Sequence, residues 1–449
     1  MIESLYNFTY NFDFDGDNTV LYNSRTQALA ALEKENYRSF KNYLDNGEEI
    51  KDKKFLEMLK SGGYLVQSRQ FEKDSIRYQM LQQRYAGDFL SLTIAPTTKC
   101  NFDCAYCYEK NSDKISGMPG KVQDALVDLV KNTGRTIRHL DIVWYGGEPL
   151  LALDVIENLS KRLIDVCREM DIEYTATIVT NGYLLNKKVV DKLKELRITG
   201  MQVTLDGPPH VHNKRRPLIG GGETFDKILN RLAECSDYFD NNISLRINVD
   251  RENSSEIEGI LDILEEKGLK QKISVYLGYV DSSNNCYQIS SCMSYKDFAF
   301  KKLDFDRILV DRGFQQDLLA NYPYPRKTFC AADTGNSFVI APNGDFYRCW
   351  DDIGLDDWKI GNIAETVELN MKKLFEYLLY DPTEDENCSE CQFLPVCMGG
   401  CPRKRLNKKK DRCVQYKYNL EGYLKECTRT LYQKMKEQEQ EKDEKPLPV

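Results

Sequence analysis

Between residues 89 and 279 the chain alternates short apolar runs with longer amphipathic stretches, joined by brief turns. The runs at 89–95, 140–145, 174–180, 200–206, 243–249 and 272–279 have strand length, and the stretches at 122–131, 155–170, 224–235 and 255–267 carry apolar residues at helical spacing. Strands that alternate with helices pair in parallel, because a parallel neighbour is reached only through a crossover. This rhythm predicts an α/β fold closing as a partial barrel, with functional residues on the loops that follow the strands.

Composition narrows the function classes. The 449 residues are enough for about three domains. With 62 Lys and Arg against 70 Asp and Glu the net charge is −8, which offers no global field to a phosphate backbone, so no nucleic-acid partner is expected. There is no apolar run long enough to span a bilayer and no basic segment leading into an apolar core at the N-terminus, so no membrane partner and a cytoplasmic location are expected. Fifteen cysteines are too sparse for a secreted disulfide scaffold and odd in number. Clustered thiols in a reducing compartment point to metal.

The first cluster is Cys100-Asn-Phe-Asp-Cys104-Ala-Tyr-Cys107, directly after the first strand. Three thiolates leave one iron of a four-iron cube without a protein ligand, an open position that a small molecule can chelate. A zinc site would need a fourth ligand, and none of the three histidines (His139, His210, His212) is beside the triplet. Cys167 and Cys235 fall within amphipathic helical patterns and read as small core hydrophobes.

The C-x3-C-x2-C spacing, with Tyr106 before the last cysteine, resembles the signature of the radical S-adenosylmethionine (SAM) superfamily. The second strand ends in Tyr145-Gly146-Gly147-Glu148-Pro149, similar to that family's GGEP motif, and Thr180-Asn181-Gly182 and Thr204-Leu205-Asp206-Gly207 follow the third and fourth strands, with His212-Asn213-Lys214-Arg215-Arg216-Pro217 after them. The resemblance implies a radical SAM barrel over 86–320, with Gly146, Gly147, Glu148, Pro149, Asn181, Thr204 and Arg216 contacting SAM. It departs where the family usually has Ser (here Thr204) and Asp (here Asn213). The implied chemistry is reductive cleavage of SAM to methionine and a 5′-deoxyadenosyl radical that removes a hydrogen from a C–H bond. No residue is assigned as an acid–base catalyst.

A second series, Cys330, Gly344-Asp-Phe-Tyr-Arg-Cys349, Cys388-x2-Cys391-x5-Cys397-x3-Cys401 and Cys413, is similar to a full SPASM domain, here spanning 325–430. That resemblance implies two auxiliary [4Fe-4S] clusters, three in all with the radical SAM cluster. Cys330, Cys349 and Cys401 would hold auxiliary cluster I, and Cys388, Cys391, Cys397 and Cys413 auxiliary cluster II. Cluster I is one ligand short; a substrate thiolate, Cys286, Cys292, Cys427 or an oxygen ligand would complete it. Cys413 is preferred over Cys427 as the last ligand because it precedes the final helix. The basic run from Arg403 to Arg412 would offset cluster charge, attract acidic peptide, or simply be solvated. Residues 431–449 are a charged tail.

Residues 1–85 carry no cysteine. A strand at 18–22, a helix opened by Ser24-x-x-Gln27 with Leu29, Leu32, Tyr37 and Phe40 on its apolar side, a second helix through Phe55 and Leu59, and a strand at 64–66 predict a compact module. In radical SAM peptide maturases a winged-helix-like domain stands here and binds the leader of a ribosomal precursor peptide by edge-strand addition. The resemblance therefore implies an oxidoreductase that installs thioether crosslinks between a Cys thiol and a backbone or side-chain carbon of such a peptide, supplied with electrons by a flavodoxin or ferredoxin. The alternatives are a carbon–carbon crosslinking maturase, an anaerobic sulfatase-maturing enzyme that makes formylglycine, and, outside enzymes, a zinc-bearing peptide scaffold. Sulfatase-maturing relatives generally place Asp directly after the Gly-x4-Cys cysteine, where this chain has Trp350, followed by Asp351.

Overall fold

The computed structural model describes residues 1–13, 17–110, 112–282, 287–365 and 369–443, with side chains for all of these except 13, 17 and 438–443. Cys286 and residues 444–449 of the expected tail lie outside the described residues. The chain forms two compact units: Met1–Arg84 with Gln315–Phe329 and Tyr380–Val449, and Tyr85–Phe314 with Cys330–Leu379.

The first unit opens with strands β1 (Ile2–Glu3), β2 (Asn7–Asp13), β3 (Asp17–Asn23), β4 (Leu29–Leu32) and β5 (Leu65–Val66), arranged as an antiparallel sheet β2-β3-β4 and a pair β1-β5. The helix expected from Ser24 is not there. Leu29 and Leu32 lie on β4, opposite Tyr22 and Thr19, and the helix starts only at Lys34 and runs to Asn46. The cause is Asn23, whose side-chain oxygen accepts the N–H groups of Arg25 and Thr26 and so reverses the chain into a hairpin. Ser24 is thereby turned away, and its hydroxyl donates to the Gln392 carbonyl at 2.7 Å. The following helix, Lys53–Ser61, is capped by Asp52, which accepts from Lys54 and Phe55 N–H. Phe40, Phe55, Leu59 and Tyr64 close one small core with Leu21 and Leu32 of the sheet.

A further helix, Arg69–Arg84, escaped the sequence reading because its mean hydropathy is low and its apolar stripe short. Its inner face, Ile76 and Met80, shares a core with Tyr6 and with Leu394 and Met398 of the cysteine-rich segment. Phe8 packs on Phe393 with ring centroids 4.9 Å apart, and Arg77 pairs with Asp381 at 2.8 Å. Residues 1–84 are thus built into the same core as residues 380–449. The final helix, Tyr416–Asp443, closes this unit.

The second unit holds β6 (Phe89–Ile94), β7 (His139–Trp144), β8 (Glu173–Thr180), β9 (Ile198–Thr204), β10 (Ile243–Val249) and β11 (Ser274–Tyr279), each parallel to the next. Strand β12 (Ser337–Ile340) continues the sheet parallel to β6 and turns back into the antiparallel β13 (Asp345–Tyr347) and β14 (Gly361–Asn362). The order β11-β10-β9-β8-β7-β6-β12-β13-β14 leaves the sheet unclosed, as a partial barrel requires. Alternate residues such as Leu90, Leu92 and Ile94 are buried in one large core with the helices, which include Leu126, Leu159 and Leu163. Cys167 and Cys235 sit on helices in that core, 2% and 1% exposed. Among the described residues, no helix is long and apolar enough to cross a membrane.

Replacing Phe40, 1% exposed in the N-terminal core, by alanine should lower stability by about 3–5 kcal/mol. Urea denaturation followed by circular dichroism checks this; a loss below about 1 kcal/mol would contradict the packing described.

Candidate active-site cavity

At the C-terminal ends of the parallel strands lies a cavity of about 340 Å3. Cys100, Cys104 and Cys107 line it together with Gly146, Gly147, Asn181, Thr204 and Arg216. Glu148 and Pro149 do not. The Glu148 carboxylate is fully buried and accepts from Leu150 N–H at 3.0 Å, Thr180 Oγ1 at 2.7 Å and Asn181 N–H at 2.7 Å, so it ties the loop after β7 to the loop after β8. Pro149 opens a short 3-10 turn, Pro149–Ala152. These two act on the loop rather than on the cavity.

The cysteine loop is held by main-chain bonds on both sides. Gly147 and Glu148 N–H donate to the carbonyls of Thr97 (3.2 Å) and Lys99 (2.9 Å), just before Cys100. On the far side Asp103 and Ala105 N–H donate to Pro217 and Arg215 carbonyls, and Ile219 N–H donates to Asn101. The glycines permit the first contact: a Cβ on Gly146 would lie 2.4 Å from the Thr97 oxygen, and one on Gly147 2.4 Å from that of Lys99. Gly146 also has φ +107°, which favours glycine.

Burial pushes the Cys100 and Cys107 thiols up to about 12, and raises Cys104 as well. Asn181 donates to Asn101 at 2.8 Å and approaches Cys100 Sγ at 3.9 Å. Tyr106 is a hub: its hydroxyl donates to Asp206 at 2.5 Å and accepts from Arg216 (2.7 Å) and Asn248 (3.0 Å). Arg215 bridges Asp206 and Asp250, both fully buried. His212 is buried between Asp206 N–H and Thr224 and is driven well below its usual range, by burial and then by the nearby arginines. None of the three histidines lines the cavity. Asn213 accepts from Thr224 and Phe225 N–H, capping the helix Phe225–Cys235.

A sulfur-only donor set beside an arginine fits the groups the sequence implies. Arg216 is 8% exposed and its Nε–H has no partner among the described residues, a cationic donor on a residue that lines the cavity, where a carboxylate would satisfy it. Among the described residues, no three His, Cys, Asp or Glu side chains converge tightly enough to hold a single ion, whereas an iron–sulfur cube takes thiolates spread around its corners.

Several cavity residues escaped the sequence reading. Gln202 on β9, two positions before Thr204, and Arg246 and Asn248 on β10 present polar side chains at alternate positions of otherwise apolar strands, and that alternation was the available signal. Glu109 and Tyr108 line the cavity from a loop, and Trp350 and Asp351 from a single 3-10 turn, where no periodicity marks them. The Glu109 carboxyl is raised to about 7, chiefly by burial.

The remaining predicted ligands divide between the units. Cys330 is exposed and Cys349 lies in the second unit, its thiol raised by burial and then by Asp351. Cys388, Cys391, Cys397, Cys401 and Cys413 lie in the first. There Cys397 and Cys413 share a hydrogen bond that, with Lys417 and Arg412, lowers Cys413 to about 6 and raises Cys397. Arg412 and the Tyr380 hydroxyl each approach Cys388 Sγ at 3.7 Å. Cys401 N–H donates to the Arg412 carbonyl, beside Cys413. Cys427 is fully buried on the last helix, its thiol donating to the Leu318 carbonyl, and Cys292 donates to Gln288. Of the basic run, Arg403 and Arg405 are buried, Lys404 pairs with Asp411 and Arg412 with Asp385, while Lys408, Lys409 and Lys410 are exposed.

Gly147→Ala should force the two loops apart. After anaerobic reconstitution the variant is expected to lose most of its iron–sulfur absorbance near 400 nm while keeping native far-ultraviolet circular dichroism; full absorbance would contradict the coupling.

Residues 94–264 match the model of the radical SAM superfamily. A cysteine-type anaerobic sulfatase-maturating enzyme of Clostridium perfringens is 25% identical over 369 residues, covering 74% of this chain and 94% of that protein. The same type of enzyme, solved with bound AdoMet and a Kp18Cys peptide, superposes with a TM-score of 0.58 at 22% identity over 77% of this chain and 98% of that one. SuiB of Streptococcus suis, solved bound to the precursor peptide SuiA, superposes with a TM-score of 0.54 at 16% identity, over 92% of this chain and 97% of that one. The segment that carries the cysteine triplet, the paired glycines and the buried arginines is therefore a radical SAM domain, and the chain is an enzyme that carries this domain.

Proposed function

We propose that this enzyme matures a ribosomally made precursor peptide, installing thioether crosslinks from a Cys thiol to a carbon of the peptide. The observation that carries the reading is the module β2-β3-β4. The chain carries this sheet besides the cavity, and the likeness to a precursor-bound structure runs over 92% of the chain. Asn23 N–H donates to Ala28, and pairs along an antiparallel ladder alternate, so Ala31, opposite Val20, turns its N–H and C=O away from β3. No further strand pairs with β4 among the described residues. A leader adding to that edge would tether the core peptide to the enzyme.

In this reading Cys100, Cys104 and Cys107 hold the SAM-binding cluster, Gly146 and Gly147 offer main chain to SAM, and Asn181, Thr204 and Arg216 orient it. When bound, cluster and SAM together supply the radical that removes hydrogen from carbon. The chain supplies position and dryness: Tyr106 and Asp206 fix Arg216, and the Glu148 staple keeps the loops closed over the cavity. The Cys397–Cys413 contact supports Cys388, Cys391, Cys397 and Cys413 as ligands of one auxiliary cluster, and the core position of Cys427 argues against it as the last ligand. Cys330, Cys349 and Cys401 are assigned to the other. A flavodoxin or ferredoxin would be the electron donor.

A second reading is formylglycine formation in a sulfatase. Asp351 lines the cavity although it stands one position later than in sulfatase-maturing relatives, and it would serve there as the base.

Because residues 1–84 share a core with residues 380–449, deleting them would uncover that core. Ala31→Pro is the cleaner test. It removes one outward N–H, and the affinity for the leader of a genomically adjacent precursor, read by fluorescence anisotropy, should fall at least about tenfold. Unchanged affinity would contradict edge docking. Cys104→Ala should abolish deoxyadenosine production in an anaerobic SAM-cleavage assay; persistent production would contradict the triplet's role. Mass spectrometry of co-expressed precursor should show loss of two hydrogens with a blocked thiol. A free thiol with the same loss would mean carbon–carbon linkage, and formylglycine in a co-expressed sulfatase would establish the second reading.

A further inference from the structure

The cavity contains an acidic side chain that nothing yet described satisfies. Glu109, two residues beyond Cys107, is 3% exposed, and both its carboxylate oxygens lack a hydrogen-bond partner among the described residues. Burying such a group unpartnered is costly, so a partner is expected when the site is filled. Lys114 does not supply one: its ammonium donates to the main-chain carbonyl of Glu109, at 2.6 Å.

A second carboxylate, Asp351, and the Cys107 thiol line the same cavity, so the acidic side chains gather on this side of it. Three aromatic side chains complete it. Tyr145 stacks on Trp350 with centroids 5.1 Å apart and planes 18° from parallel, and the Tyr108 and Tyr145 hydroxyls are hydrogen-bonded. All five residues line the one cavity with the cysteine triplet. Two carboxylates beside aromatic faces attract a cation, through charge-assisted hydrogen bonds and the ring quadrupoles.

We propose that Glu109 and Asp351, walled by Tyr108, Tyr145 and Trp350, form a subsite for the cationic side chain, lysine or arginine, of the peptide substrate. This rests on the peptide-maturase reading only in taking the ligand to be a peptide; it is independent of the bond formed. The subsite selects the residue that enters the cavity, so a target carbon would lie on or beside a basic residue.

The test uses the full-length, anaerobically reconstituted enzyme saturated with SAM and without reductant, so that binding is measured without turnover. The capped peptides acetyl-Ala-Lys-Ala-amide and acetyl-Ala-Gln-Ala-amide are titrated by calorimetry. The lysine peptide should bind about tenfold more tightly than the glutamine peptide, and Glu109→Gln should erase that preference while SAM affinity stays within about twofold. Asp351→Asn should weaken the preference in the same direction and serves if Glu109→Gln folds poorly. Equal affinity for the two peptides, no binding of either, or a lysine preference retained in both variants would overturn the proposal. So would a parallel loss of SAM affinity in Glu109→Gln, which would give the subsite to the cosubstrate. If the lysine preference holds but the matured product contains no thioether, the linkage reading fails and the subsite stands.

Discussion

The position of the three cysteines is set by main chain. Five backbone hydrogen bonds, two from the Gly147–Glu148 turn and three to the segment 215–219, hold the loop 97–105 between neighbouring strand ends. Main-chain bonds of this kind tolerate most side chains, but they require the two loops to approach within contact of bare backbone. That is possible only because Gly146 and Gly147 carry no Cβ. The cavity, its sulfur donors and its arginine all follow from this clamp, since the same segment that binds Asp103 and Ala105 presents Arg216.

Around the clamp, buried charge is paired almost throughout. Arg215 lies between Asp206 and Asp250, Tyr106 joins Asp206 to Arg216, and Glu148 is stapled by three donors. Such networks offset the desolvation of their members only when each polar group is met. Two groups left unmet among the described residues, Arg216 Nε and the Glu109 carboxylate, belong to residues that line the cavity, where a ligand can meet them. One is a cation and one an anion, so a bound molecule is gripped by opposite charges at different points.

Much of this was legible in the sequence, and the reason is period. The six parallel strands announced themselves because helix and strand periodicities alternate without interruption, and the cysteine triplet because its spacing falls directly after one of them. Strand β9 begins two residues before the expected 200–206, the usual uncertainty at an element's end. The N-terminal module was harder. Leu29 and Leu32 fit a helical face as well as a strand, and only the turn made by the Asn23 side chain decides between them. The helix Arg69–Arg84 buries its stripe against residues more than three hundred positions away, a long-range contact that no local pattern encodes. Glu109 sits in a loop and Asp351 in a single 3-10 turn, Trp350–Asp352, so their joint place in the cavity is a product of topology alone.

The most direct test of the account is electron paramagnetic resonance of the anaerobically reconstituted, reduced enzyme with and without SAM, compared with Cys104→Ala. The account predicts a four-iron cubane signal whose g-values shift when SAM is added, and loss of that SAM-sensitive component in the variant. Stoichiometric zinc in place of iron, or a cubane signal indifferent to SAM, would contradict it.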